Sequence, residues 1–591
     1  MSVQAQSAIR QVGRRYCPVW VRSILLQAGA SVMTFLRAPY YAVTTVLGQF
    51  ILPREDPADE VVGHGAGKAV GGLVYWLMIA KKARKFGLFG LAHDCYMGMP
   101  LSVHNWPLSI AALVKLGYRR TVYISVLILA AGLAWLAVAA GHPYAIVLVP
   151  LILFSTYCTF NIYAGVLELL PWGLFIAAFA CATQQLYLFT GICLAGIILS
   201  HPGAALSSML TLICYGVLSG HSAHGLFEMT LAAAALSFWF VIPYLRCRRM
   251  LGRERIINEV WQAKYSWSSA SAYQFGIYAL FLSAVILSGE RSLSSLYLIL
   301  PLMALVYNIK RYWLFSAYTL YNYMMVSGAV YLVLHPTILP IIAYLFVIYT
   351  PCSTLLWSGK ASFKGFDLTP LTLGNTRGSI QEMFAGLKPG RVAVELGDRS
   401  HPGWTYMASL GYILADMDVD LFNNAYAEVG DVRIFHKYCR HLNGSATQKE
   451  FETACRDAGI KYIVCLTDEF AATCAARRYV QHGQSIQAQI SNEEQLSPVS
   501  LAVFELPLES SIIKPPVEVT QSPNRLQFQA EAGTNYHLTL TCFPGWRASQ
   551  NGRGIRMADD SPGISIRCTE DGPVDLTYSY RNYFRRQEIV R

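Results

Sequence analysis

Apolar runs of about 15 to 24 residues alternate with short polar breaks between residues 120 and 358, which is the pattern of membrane-spanning helices. A further apolar run lies near the start of the chain. Together they predict about eleven spans, at about 23–51, 121–140, 143–161, 169–187, 188–200, 203–219, 226–245, 273–288, 293–308, 312–334 and 337–358. The sequence therefore predicts a polytopic α-helical membrane protein.

The remainder of the chain, from residue 359, has the pattern of a soluble protein. Residues 449–458 form an amphipathic helical pattern, and residues 460–466 and 500–506 have the composition of strands. From about residue 510 to 585, turn signals at 522–524, 551–552 and 571–572 separate short strands, as in a β-sandwich. We predict a transmembrane domain at 1–358, a soluble α/β domain at 359–509 and a β-sandwich domain at 510–591.

Four arginines, Arg10, Arg14, Arg15 and Arg22, precede the first apolar run, and no small-residue cleavage site follows that run. We interpret the run as a retained span with the N-terminus in the cytoplasm. An odd number of spans then places the C-terminal domains outside the cytoplasm. The segment 98–117 leaves the count open, because it is either a further span or a helix on the membrane surface.

Composition adds two restrictions on the partners. Of the 591 residues, 54% are hydrophobic and 14% are charged, with a mean hydropathy of +0.36, so the lipid bilayer is an expected partner. The net charge of +11 is scattered and forms no basic tail, so nucleic acid is not an expected partner. Six of the 14 cysteines lie in the soluble part, and none of them forms a CxxC pair. This spacing argues against a zinc site, and it does not assign any disulfide pairing.

The predicted outer loop between the first two spans, about residues 53–118, contains an acidic cluster of Glu55, Asp56, Asp59 and Glu60. His64 follows, and residues 66–86 then predict an amphipathic helix at the level of the lipid headgroups. A second interpretation makes the acidic cluster a solvated loop in which Asp59 caps a helix that begins near Val61. His93 and Asp94 lie later in the same loop.

Basic residues are concentrated after the seventh predicted span, at Arg246, Arg248, Arg249, Arg253, Arg255 and Lys264. In the odd-count topology this loop lies outside, against the positive-inside tendency. Either the span count is wrong by one, or the arginines hold an anion such as a lipid phosphate. Lys310 and Arg311 lie at a span end, where they either extend to the interface or contact phosphate.

Several stretches resemble a known group of membrane proteins. Residues 161–172, which include Tyr163 and Glu168, resemble a motif between spans in bacterial and archaeal proteins of the YfhO-like and 6-pyruvoyl-tetrahydropterin-synthase-related group, which resemble GT-C glycosyltransferases. His201-Pro202, residues 237–243 and the loop end at 98–108 agree with the same group in the same order. Residues 543–548, 551–552 and 574–580 resemble its terminal β-sandwich.

The resemblance implies a GT-C-like glycosyltransferase of a bacterial or archaeal cytoplasmic membrane, which transfers a sugar from a polyprenyl-phosphate donor to an extracytoplasmic glycan or lipid acceptor with inversion. An outer-loop aspartate would be the general base. The acidic motif fits Glu55-Asp56 and Asp59-Glu60 almost equally, so the base stays open between Asp56 and Asp59. Glu55 is a further catalytic candidate.

The same resemblance implies a set of substrate-binding residues and a metal requirement. Positive charge would stabilise the leaving lipid phosphate. The expected substrate-binding residues are Tyr163, Glu168, His201, Arg246, Arg248, Arg249, Lys310 and Arg311. Carboxylates and His64 would hold a divalent cation, Mg or Mn, if one is required.

Structural interpretations compete with these roles. Glu168 either functions or belongs to an ion pair, since an acid near a membrane core is costly when unpaired. His201 beside Pro202 fits a hydrogen bond within the bundle, and His64 fits a surface position. The rival function is a non-enzymatic membrane scaffold or a transporter in cell-envelope polysaccharide assembly. The lack of internal repeats and the few charges inside the spans count against a transporter.

Overall fold

The computed structural model describes residues 61–64, 70–95, 97–101, 106–153, 155, 158, 169–251, 269–289, 298, 317–348, 370–372, 376–395, 410–415, 417, 419–423, 432–491, 496–508, 511–560, 562–585 and 589–590. The predicted first span and the acidic cluster lie outside these residues. The predicted span at 293–308 lies outside them as well, apart from residue 298.

Helices dominate the described residues up to residue 348. In chain order they are α1 Val70–Phe86, α2 Pro107–Leu116, α3 Tyr118–Ala139, α4 Leu148–Leu153, α5 Leu169–Thr183, α6 Tyr187–Ser200, α7 Pro202–Leu218, α8 Ala223–Leu251, α9 Ser269–Leu287, α10 Ala317–Leu334 and α11 Ile338–Ile348. A 3-10 helix, Pro143–Val147, precedes α4. Short strands β1 Val61–His64, β2 Leu91–Ala92 and β3 Met99–Pro100 lie before α2.

Two of the described helices are long and apolar enough to cross a bilayer, Arg120–Ala139 within α3 and Ala223–Cys247 within α8. Other apolar helices, such as α5 and α6, are shorter than the roughly 20 residues that a span requires. The predicted total of about eleven spans stays a prediction. Helices do occupy most of the predicted span positions.

The helical region exposes large apolar side chains. Leu127 is 65% exposed, Phe227 64%, Ile286 72% and Ile338 77%, and these residues belong to four different helices. In the most apolar stretches of α3 and α8, 39% and 28% of the residues are buried, so neither is the enclosed core helix of a soluble protein. Apolar surface on this scale is typical of helices that face lipid.

Two local predictions for the outer loop are corrected. Residues 61–64 form strand β1 and the helix begins at Val70, so Asp59 does not cap a helix that begins near Val61. The segment 98–117 is not one continuous span, because β3 pairs with β2 and the ten-residue helix α2 follows. At a rise of about 1.5 Å per residue, α2 is too short to cross a bilayer.

Residues 370–508 include a mixed α/β unit. Its elements are β4 Pro370–Thr372, α12 Thr376–Ala385, β5 Arg391–Val394, α13 Val432–Lys437, α14 Gln448–Ala458, β6 Ile460–Cys465, α15 Asp468–Ala476, β7 Val480–Ser491 and β8 Leu496–Glu505. The sheet order is β5-β6-β8-β7, parallel between β5 and β6 and antiparallel elsewhere. The predicted helix at 449–458 is confirmed, with a capping box between Thr447 and Glu450 and a left-handed C-cap at Gly459.

The last described residues form two five-stranded sheets. The strands are β9 Ile513–Lys514, β10 Val519–Ser522, β11 Arg525–Ala530, β12 Asn535–Leu538, β13 Trp546–Gln550, β14 Arg553–Ile555, β15 Met557–Asp559, β16 Ile564–Arg567, β17 Gly572–Tyr578 and β18 Ile589–Val590. The orders are β10-β11-β17-β13-β14 and β18-β15-β16-β12-β9. Trp546 is fully buried in the sandwich core. The domain boundaries themselves stay predictions.

Alternate residues of β6 and β8 face two different hydrophobic cores. Tyr462 and Val464 belong to the same buried cluster as Met78 and Ile79 of helix α1. The intervening residues, such as Ile463, pack against α14 and α15. Both faces of the sheet are therefore covered, and the core on one of them is continuous with that of the helical region.

Candidate functional site

The described elements of the helical region, the α/β unit and the sandwich meet at the segment between α1 and α2, residues 87–101, which we call the junction loop. Leu91 is fully buried in the sandwich core, whereas Met97 is fully buried in the core behind the α/β sheet. The Thr541 amide donates a hydrogen bond to the Met97 carbonyl over 2.7 Å. The loop therefore holds the two soluble units against the end of α1.

Asn524 fixes the first turn of this loop. Its side-chain oxygen accepts a hydrogen bond from the Leu91 amide at 2.7 Å, and its amide nitrogen donates to the Phe86 carbonyl at 2.9 Å. Asn524 has a left-handed backbone, φ 62°, in the turn between β10 and β11. One side chain thereby satisfies two backbone groups that lie more than 400 positions away in the chain.

A buried ion pair joins α1 to the junction loop. The Lys82 ammonium lies 2.9 Å from one oxygen of the Asp94 carboxylate, and their side chains are 3% and 8% exposed. The more exposed Lys85 lies 3.2 Å from the other oxygen. Two charges removed from water are tolerated only when they are paired, so this arrangement fixes the loop to the helix.

His93 lies beside this pair and packs edge-on against Phe86, with ring centroids 5.0 Å apart. Its Nδ1 atom is buried and has no hydrogen-bond partner among the described residues. Burial lowers the pKa of His93. The negative charges of Asp94 and Asp420 raise this pKa by a smaller amount, and the positive charges of Lys85 and Lys82 lower it slightly further. Protonation of His93 is therefore disfavoured, because it would place a positive charge in a buried environment.

Arg391 connects the α/β unit to the sandwich. It is 2% exposed, and its Nε donates to Asp420 at 2.9 Å while Nη1 donates to the Ala458 carbonyl at 2.7 Å and the Thr539 hydroxyl at 2.9 Å. The Leu421 amide in turn donates to the Asp94 carbonyl at 3.1 Å. The two charged groups, Lys82–Asp94 and Arg391–Asp420, are thus linked through backbone.

Strand β1, which follows the acidic cluster in the sequence, pairs with the start of the soluble part. The cluster directly precedes β1, and β1 pairs antiparallel with β4, so that Val61 lies opposite Thr372 and His64 opposite Pro370. The predicted catalytic residues Glu55, Asp56 and Asp59 lie outside the described residues. Only the backbone of the metal-ligand candidate His64 is described.

The predicted substrate-binding residues fall in different places. Tyr163, Glu168, Lys310 and Arg311 lie outside the described residues. Arg248 and Arg249 belong to α8, which continues to Leu251, so they are helical and do not form the predicted loop. Their side chains lie outside the described part.

Arg246 has a structural contact. It lies near the C-terminal end of α8, and its Nη1 donates to the Tyr583 carbonyl and, at 3.4 Å, to the Arg585 carbonyl. Cys247 beside it is buried in the sandwich core. Arg246 thus fastens the sandwich to α8, and its predicted contact with lipid phosphate stays a prediction.

His201 caps helix α7. Its Nδ1 accepts a hydrogen bond from the Ala204 amide at 3.0 Å, and its ring lies 4.1 Å from that of Trp106. Only 8% of the residue is exposed. The sequence analysis gave such a hydrogen bond within the bundle as the alternative to substrate binding. A role of His201 in substrate binding stays a prediction.

The described residues contain no group of three or more His, Cys, Asp or Glu side chains arranged to hold a metal ion. The predicted carboxylate and His64 ligands have no described side chains, so the divalent cation stays a prediction.

Sequence reasoning missed the residues that assemble the junction, above all Arg391, Asp420 and Asn524. The basic residues 81–85 and the pair His93-Asp94 were visible signals within the outer loop. Arg391, Asp420 and Asn524 lie hundreds of residues away from this loop in the sequence, and no local spacing connects them to it.

Comparison with known proteins finds distant structural similarity. No protein-family model matches the chain, and no curated protein matches it. The structure is similar to the crystal structure of the Archaeoglobus fulgidus oligosaccharyltransferase in complex with Zn and sulfate, with 10% identity, 78% of this chain and 72% of that chain covered, and a TM-score of 0.37. At this TM-score a shared fold is not established.

Proposed function

We propose that the protein is an integral membrane glycosyltransferase that moves a sugar from a polyprenyl-phosphate donor to an extracytoplasmic glycan or lipid acceptor. The observation that carries the proposal is the pairing of β1 with β4, because β1 directly follows the acidic cluster in the sequence and β4 is the strand where the soluble part begins. A lipid-linked donor reaches such a site from the bilayer. A water-soluble acceptor reaches it from the other side.

The reaction requires a general base for the acceptor hydroxyl and positively charged side chains for the leaving phosphate. Asp56 or Asp59 would accept the proton of an acceptor hydroxyl, whose oxygen forms a bond to the anomeric carbon from the face opposite the leaving group. The bond between that carbon and the phosphate oxygen breaks, and the electron pair leaves with the lipid phosphate. Arginine and lysine side chains near the span ends, among them Arg248 and Arg311, would stabilise the phosphate.

The test replaces each candidate base by its isosteric amide, Asp56→Asn and Asp59→Asn, in the full-length protein. Transfer is measured in membranes supplied with a panel of polyprenyl-phosphate sugars. At least one variant is expected to lose activity by about 100-fold or more, the size of a general-base contribution. The control is Glu531→Gln, an exposed carboxylate in a turn of the sandwich, which should keep wild-type activity.

Full activity in both aspartate variants would contradict the assignment of the general base to the outer loop. The wild-type protein could instead transfer no sugar from any donor and still co-purify with a protein of polysaccharide assembly. This result would favour the alternative function, a non-enzymatic scaffold. Mass spectrometry of the lipid that co-purifies with the wild-type protein supplies an independent readout. A polyprenyl phosphate is the expected species.

A further inference from the structure

An open groove of 620 Å³ lies between the junction loop, helix α8 and the 3-10 helix Tyr580–Phe584. Its lining includes Phe89, Trp239, Tyr580, Arg581 and Phe584. The volume is within the range of small-molecule sites, about 300–1,000 Å³. Its described lining includes neither Lys82 nor Asp94.

The groove has fixed walls. The Tyr580 hydroxyl donates to the Trp239 carbonyl at 2.8 Å, which fastens the 3-10 helix to α8. The Phe89 ring lies 5.0 Å from that of Tyr580 and 5.7 Å from that of Trp239. A Cβ atom at Gly90 would lie 2.0 Å from the Phe86 carbonyl oxygen, so the loop wall requires glycine at that position.

Two of these aromatic rings face outward, since Phe89 is 44% exposed and Phe584 is 42% exposed. Trp239 belongs to α8, one of the two described helices that can cross a bilayer, and lies in its C-terminal part beside the sandwich. Leu236, one turn earlier on the same side of the helix, is 47% exposed. Exposed aromatic residues at the end of a span are typical of the headgroup region.

The charge of the groove is positive. Arg581 lines it, and within the part of the chain that the structure describes its guanidinium has no hydrogen bond or ion pair. Arg585 is exposed next to Phe584, and none of the described lining residues is acidic. A guanidinium beside an apolar wall complements a phosphate that carries hydrocarbon chains.

We propose that this groove binds the headgroup of an anionic phospholipid of the surrounding bilayer. Arg581 contacts the phosphate, the aromatic rings surround the glycerol region, and an acyl chain follows the exposed apolar surface of α8 past Leu236. The bound lipid fixes the sandwich at the membrane surface. This site is independent of the proposed glycosyl transfer.

The test places the full-length protein in nanodiscs that contain equal amounts of phosphatidylglycerol and phosphatidylcholine, and native mass spectrometry counts the lipids that stay bound. The wild-type protein is expected to retain phosphatidylglycerol preferentially. Arg581→Gln should lower the ratio of retained phosphatidylglycerol to phosphatidylcholine by about fivefold, the effect of one basic side chain at a charged membrane surface. The variant Phe584→Ser should lower total retention.

The matched control is Arg553→Gln, because the Arg553 side chain is 86% exposed on the same sandwich and lies outside the groove. It should retain lipid as the wild-type protein does. Equal retention by Arg581→Gln and wild type, or no preference for the anionic lipid, would overturn the proposal. Displacement of the Arg581-dependent lipid by an equimolar polyprenyl phosphate would also overturn it, since the groove would then belong to the donor.

Discussion

The Asp94 carboxylate shows how one residue can hold two elements together. It is almost completely buried and lies between two ammonium groups of helix α1, one of them 3% exposed. Burial makes the pair costly to form, but removing only one partner is worse, since the other charge then stays buried without compensation. The stability of the junction loop therefore depends on both members of the Lys82–Asp94 pair.

We predict that Asp94→Asn lowers the free energy of unfolding by about 3 kcal/mol, because the Lys82 ammonium is left unpaired. Denaturant titration of the protein in detergent micelles measures the change. The double variant Asp94→Asn with Lys82→Met should recover part of the loss. Lys85→Gln is the control, expected to change stability by less than about 1 kcal/mol because this partner is more exposed. Wild-type stability in Asp94→Asn would contradict the prediction.

At the scale of elements, a turn of the sandwich determines the position of the junction loop. The turn between β10 and β11 presents Asn524, whose side chain binds both the Phe86 carbonyl and the Leu91 amide. The turn between β13 and β14 presents Asn551 with a similar left-handed backbone, φ 49°. Asn551 instead bonds to Glu570 and to the Asp571 carbonyl, both within the sandwich.

The two turns provide a matched pair of variants. Asn524→Ala removes both hydrogen bonds to the junction loop and should cost about 1–3 kcal/mol locally, seen as faster hydrogen exchange of the Leu91 amide. Asn551→Ala also places alanine at a position with a left-handed backbone, which costs a similar free energy. It should leave hydrogen exchange of the Leu91 amide unchanged. Equal acceleration in both variants would mean that general loosening of the sandwich, and not the Asn524 contact, protects Leu91.

At the scale of the whole molecule, the sandwich, the α/β unit and the helical region share buried surfaces. Leu91 and Cys247 from the helical side complete the sandwich core, and one face of the β6–β8 pair belongs to the same hydrophobic cluster as α1. The soluble part must therefore lie on the side of the membrane that the C-terminal end of α8 reaches. The odd-count topology predicted from the sequence would place this side outside the cytoplasm.

Arg553→Cys tests that placement. The substituted position is 86% exposed on the sandwich, whereas the described native cysteines are buried or half-buried. A membrane-impermeant maleimide added to intact spheroplasts is expected to label the variant, and wild-type protein measures the native background. Labelling seen only in inside-out vesicles would show that the sandwich faces the cytoplasm. It would contradict the proposal of an extracytoplasmic acceptor.

The sequence by itself determined the elements whose signals are local. Helix α14 follows from its amphipathic pattern and its capping box, the turns of the sandwich from Asn and Gly residues, and the membrane helices from long apolar runs. Only the tertiary structure decided that residues 61–64 are a strand, because β1 takes its partner from β4, about three hundred positions later. The same holds for Asn524 and Phe86, which lie 438 positions apart. Such pairings depend on which surfaces meet after the helices and sheets have packed, and local hydrophobic periodicity contains no information about them.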